Sequence, residues 1–250
     1  MSNYSIRDFG KRIYRMFSGY FSQLLLFLVL LFASRPYDRT ALYVAVWEFF
    51  FTLLFLSAIF NCDHSKPVKI CAISFAIPSL LGKWFNLLYP STVITLIYLV
   101  FTILFIIVIT TSIVKSVVIN ARVKMETLRG VICAYFMVAF GFSFLYLFID
   151  TLSPNSFYFS SAHFDPTNHI RYLSEMMYFS FVTLLCIGYG DITAIKDVAK
   201  TFVILEGIIG QFYIAILVAR LVAVYSFYEH KLHLASQEKN GEKAPPKSRT

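Results

Sequence analysis

The chain has 250 residues, of which 58% are hydrophobic and only 14% charged, with a formal net charge of +8. A soluble domain of this length cannot hide so much apolar surface, so the solvent for most of the chain is lipid. The positive charge is scattered between apolar runs and forms no basic patch interleaved with a soluble fold, which argues against nucleic-acid binding.

The chain shows no Ser/His/Asp constellation, metal-ligand spacing or phosphate loop. Its polar residues are too dispersed to build an enzyme site, and no cofactor is expected. The four cysteines, Cys62, Cys71, Cys133 and Cys186, lack paired spacing and lie in or near apolar runs. There a thiol behaves as a small hydrophobe.

Residues 1–19 carry Arg7, Lys11, Arg12 and Arg15 and read as a cytoplasmic N-terminal segment. The apolar run that follows ends at Arg35-Pro36-Tyr37-Asp38-Arg39, which is no small-residue cleavage site, so it reads as a retained helix. Crossing a hydrocarbon core of about 30 Å takes about 20 residues. Six runs are candidates: Tyr20–Ser34, Ala41–Phe60, Val68–Leu88, Thr92–Val114, Val131–Thr151 and Thr201–Phe227. The first is short, and the third is interrupted by Pro78, which membrane helices tolerate. The first four runs make a peripheral four-helix domain over residues 20–115.

Ser116–Arg129 has apolar positions at Val117, Val118, Ala121, Met125 and Leu128, close to a helical period. The spacing predicts an interfacial linker helix over 116–129, with a solvated linker as the equal alternative. Residues 130–228 then hold the outer helix, a short helical run at about Tyr172–Leu185, a glycine-bearing loop and the inner helix. The outer loop, about Leu152–Arg171, contains His163 and His169, which read as solvated. The tail at 229–250 is polar and predicted to be disordered. With both termini in the cytoplasm, sixteen of the 22 Lys and Arg residues fall inside. This agrees with the positive-inside rule and predicts a multi-pass protein of the cell membrane.

The central stretch is Thr183-Leu-Leu-Cys-Ile-Gly-Tyr-Gly-Asp191. Glycine at alternate positions lets a backbone take left-handed angles, so that consecutive carbonyls face one way. A row of carbonyl oxygens replaces the water shell of a dehydrated potassium ion. The stretch resembles the filter of the potassium-channel superfamily, whose consensus is Thr-Val-Gly-Tyr-Gly-Asp. The alignment needs no gap; Cys186 replaces the usual threonine, and Ile187 conservatively replaces valine. The resemblance covers about Val131–Phe227, while the first four runs match only in number and placement.

The resemblance implies an all-α integral membrane protein with six transmembrane helices, a re-entrant pore helix and a selectivity-filter loop, assembled as a homotetramer. It implies passive, selective K+ conduction. K+ sites would be built from carbonyls of Cys186, Ile187, Gly188 and Tyr189, with Gly190 shaping the outer end. A thiol is a poor ligand for a hard cation, so the innermost site is expected to be weak and Cys186→Thr to strengthen it. Tyr178 is expected either to brace Asp191 or to pack between subunits. Gly210, nineteen residues after Asp191, matches the family's gating hinge; the bland alternative is that Gly207 and Gly210 allow close helix packing. Gln211, Ile214 and Val218 have i, i+3, i+7 spacing and match the cavity-lining face, with Ile214 and Val218 as a hydrophobic constriction. Glu206 lies inside an apolar helix, either behind the filter on a hydroxyl such as Thr183, or where it attracts cations. The fourth run carries no Lys or Arg, so little or no intrinsic voltage gating is expected. A non-selective cation channel and a non-conducting regulatory subunit are the competing functions.

Overall fold

The computed structural model describes residues 20–33, 41–61, 66–119, 125–160, 169–217 and 219. The segment 1–19, His163, Val218 and the tail at 229–250 lie outside the described residues. In chain order the elements are α1 (Tyr20–Ala33), α2 (Ala41–Asn61), α3 (Lys66–Leu88), α4 (Thr92–Ile119) and α5 (Met125–Leu152). Then come β1 (Phe157–Phe159), α6 (His169–Leu184), β2 (Ile192–Ala194) and α7 (Asp197–Leu217). The chain divides into two compact units, Met1–Gln211 and Phe212–Thr250. In the second, residues 212–217 are helical.

Helix α1 buries Leu24, Leu28 and Leu31, a stripe at helical spacing, and packs on α2 and α5. At 14 residues it is about 21 Å long, short of a full crossing. Helix α2 buries Trp47, Phe51, Phe55 and Ala58 along one face. Its rings join α4 through Phe55 and Phe105, stacked at 4.1 Å, and α5 through Phe51 and Phe144, at 5.6 Å.

Pro78 lies inside α3, and next to it Ser79 hydrogen-bonds Thr102 of α4 at 2.6 Å. Lys83 places its ammonium 3.6 Å from the Phe51 ring and 4.6 Å from the Trp47 ring. The aromatic faces stabilise a charge within an apolar bundle. Among the described residues, four helices are long and apolar enough to cross a membrane: Lys66–Asn86, Thr92–Val117, Leu128–Leu152 and Asp197–Leu217. Phe21–Ala33 and Phe49–Ile59 are shorter apolar helices.

Of the stretch expected to form an interfacial linker helix, 116–129, residues 120–124 lie outside the described residues. Residues 116–119 continue α4, and 125–129 open α5. Of its apolar positions, Val117 is buried on α4. Helix α6 has 16 residues, about 24 Å, below the spanning length. Phe181 fixes it among Phe32, Phe136 and Phe140, with ring centroids 5.0, 5.3 and 5.9 Å away.

Candidate functional site

The loop at the end of α6 begins as a helix cap. Ile187 N–H donates to Val182 O and Cys186 N–H to Thr183 O, both at 2.9 Å. This six-to-one plus five-to-two pair is a Schellman cap, which requires a left-handed residue at the fifth of its six positions. That residue is Cys186, with φ +55°. Glycine usually fills such a position; a residue with a Cβ bears about 1–2 kcal/mol of strain there. Thr183 thus contributes its carbonyl to the cap.

Left-handed φ recurs at alternate residues: Cys186 at +55°, Gly188 at +64° and Gly190 at +81°, with Ile187 and Tyr189 outside that region. Alternating hand along a short segment turns successive peptide planes so that like groups face one side. Nothing crowds the two glycines, so the backbone angle alone favours glycine there. The loop is exposed in the single chain, with Ile187 at 48% and Tyr189 at 69%.

Two contacts hold the carbonyl that ends α6. Tyr135 of α5 donates its hydroxyl to Leu184 O at 3.1 Å. Gly210 of α7 lies so close that a Cβ there would overlap Leu184 O and come within 3.2 Å of Leu184 C and Cδ1. A helix carboxyl end carries about half a negative charge, and this one sits where the loop begins. Gly210 is therefore a close-packing point, whatever else it does.

Glu206 is fully buried on α7. The Tyr146 hydroxyl of α5 donates to its Oε2 at 2.5 Å, and Ser180 of α6 hydrogen-bonds its Oε1. Thr183 was the hydroxyl expected here; Ser180, one turn earlier on α6, takes that place. Ser180 and Tyr146 are each fully buried, as is Glu206. Neither Tyr146 nor Tyr135 was singled out from sequence. Their signal was a hydroxyl on an apolar helix, and their partners lie 60 and 49 residues away, beyond any local period.

The carboxyl end of the loop is strapped to the segment that follows α5. β1 and β2 pair antiparallel, with Tyr158 opposite Thr193. Ser160 N–H donates to Asp191 O at 2.9 Å, and Lys196 Nζ donates to Ser153 Oγ and Pro154 O, each at 2.7 Å. The Asp191 carboxylate accepts from Ile192 N–H at 3.1 Å. Tyr178 is half-buried on α6. Tyr172, near the start of α6, hydrogen-bonds Asp150; burial first, then this bond, push its phenol above the usual range. Gln211 and Ile214 are exposed, Ile214 in the second unit.

Residues 132–226 match a family model described as an ion channel. The match supports an ion channel of the pore-domain superfamily, and with the apolar helices it marks a membrane protein. Protein LctB of Bacillus caldotenax is 27% identical over 101 residues, covering 40% of this chain and 74% of that protein. Protein LctB of Geobacillus stearothermophilus is 27% identical over 107 residues, covering 43% and 78% respectively. No solved structure matches the chain.

Proposed function

We propose that the protein is a potassium-selective channel in which four copies gather their 186–190 loops around one axis of the cell membrane. The observation that carries this is the alternating left-handed backbone at Cys186, Gly188 and Gly190, directly beyond the carboxyl end of α6. Such a backbone is suited to offering rows of carbonyl oxygen to a dehydrated cation. Carbonyls of Cys186, Ile187, Gly188 and Tyr189 are the proposed ligands. Four converging α6 ends would add negative potential below them.

The assembly explains apolar surface left open in one chain. Ile204 and Ile208 of α7 are exposed, and an open groove of about 530 Å³ runs beside the loop between Phe179, Val182, Ile192 and Val203. Neighbouring copies and lipid would cover both. The reading takes α1 and α2 as crossings beside the four longer helices, with both termini cytoplasmic and α6 re-entrant. It places Gln211, Ile214 and Val218 on the inner cavity.

The test is potassium uptake into proteoliposomes, with sodium as control. Uptake of K+ well above Na+ is expected. Equal uptake of both would replace the reading by a non-selective cation channel, which the Cys186 thiol favours in place of a hydroxyl ligand. Uptake of neither would make the chain a non-conducting subunit.

A further inference from the structure

We infer that Glu206 is a neutral, proton-carrying brace that positions the filter, and that it does not serve as a charge that attracts cations. The inference deepens the proposed channel function and rests on it for its effect on conduction.

Three buried oxygen contacts meet at this site. Tyr146 Oη meets Glu206 Oε2 at 2.5 Å, Ser180 Oγ meets Glu206 Oε1, and Ser180 Oγ also meets Ala139 O at 2.7 Å. Each contact needs one proton. Tyr146 and Ser180 each own a single hydroxyl proton, and a backbone carbonyl owns none. An ionised Glu206 would leave three contacts with two protons. One pair of oxygens would then face each other bare, at hydrogen-bond distance, in an apolar interior. A protonated Glu206 supplies the third. It donates from Oε1 to Ser180 Oγ, Ser180 donates to Ala139 O, and Tyr146 donates to Oε2. Ala139 O also accepts the Ser143 hydroxyl at 2.7 Å.

The surroundings agree. Glu206 makes no ion pair among the described residues. A carboxylate with no cation beside it in an apolar interior is costly, and neutralisation removes that cost.

The position gives the brace its consequence. Ser180 lies four residues before Leu184, the end of α6, and the loop starts two residues further on. Glu206 lies four residues before Gly210, where α7 touches Leu184 O. The acid therefore ties α5, α6 and α7 together one turn before the end of α6. It sets how far α6 reaches, and so where the first carbonyls stand.

Infrared difference spectra and ion uptake test this on full-length protein in proteoliposomes. The wild type minus Glu206→Gln spectrum should show the carbonyl stretch of a protonated carboxylic acid, well above the carboxylate bands. Glu206→Gln keeps a donor and an acceptor in the same shape, so its K+/Na+ uptake ratio should stay near wild type. Glu206→Ala leaves the buried Tyr146 hydroxyl without its acceptor and Ser180 with Ala139 O alone, and should lower that ratio by roughly tenfold. Tyr146→Phe should lower it less, and it serves in place of the alanine variant if that one fails to fold.

A missing acid band overturns the inference, as does a glutamine variant as poor as the alanine one. If the wild type carries neither ion, the channel reading fails, while the infrared band still decides where the proton sits.

Discussion

Gly210→Ala sets the packing at the end of α6 against the intrinsic preference of a helix. Alanine in a helix interior is better than glycine by about 1 kcal/mol, so propensity alone predicts a gain. The structure predicts a loss. A Cβ at Gly210 would overlap the Leu184 carbonyl oxygen, and two further Leu184 atoms stand at 3.2 Å. The obstacle is backbone, tied to α5 by the Tyr135 hydroxyl, and it cannot rotate away. Overpacking of this kind costs about 1–3 kcal/mol. Gly207, one turn earlier on the same helix, has nothing within 4 Å of an added Cβ. Gly207→Ala should therefore realise the propensity gain. The two variants should differ by about 2 kcal/mol, or about 4–8 °C in melting temperature for a chain of this size. Thermal unfolding of the purified protein in detergent reads this directly. A Gly210→Ala protein melting at or above Gly207→Ala would refute the packing account, and would leave Gly210 as a hinge alone.

Tyr135→Phe removes the hydrogen bond to Leu184 O and should cost about 1 kcal/mol, measured by the same melting experiment; an unchanged melting temperature contradicts it. Cys186→Ser adds a hard oxygen ligand without branching at Cβ, and should raise the K+/Na+ uptake ratio. Cys186→Thr adds the same oxygen but puts a β-branched residue at φ +55°, so it should fold less stably than the serine variant. A ratio unmoved by serine would count against a ligand role for residue 186. Planar-bilayer currents should show little voltage dependence, since Thr92–Val114 of α4 carries no Lys or Arg; a steep conductance–voltage curve would show that gating charge lies elsewhere.

Helix placement was largely legible from hydrophobicity. Helix α6 starts and stops within a few residues of the run expected at Tyr172–Leu185, and α5 ends at Leu152 beside the expected Thr151, because long apolar runs have one stable solution in lipid. The glycines of the loop announced their left-handed angles for the same reason that glycine is used there. Cys186 did not, because its angle comes from a cap set by Val182 and Thr183, and a cysteine carries no signal for it. β1 and β2 are three residues each, too short for any alternation to stand out, and their pairing joins segments more than thirty residues apart. The partners of Glu206 were missed similarly. An acid in an apolar helix signals that a partner exists, but only the packing of α5 and α6 against α7 selects Ser180 and Tyr146 over Thr183.

The central claim is that potassium stands on an axis between four loops. Density for a heavy potassium substitute such as rubidium or thallium, in a structure of the purified assembly, tests it most directly. The account predicts four-fold symmetry with ion density along the axis, beside the backbone of residues 186–189. A monomer, or an assembly whose loops face lipid with no axial density, would contradict it.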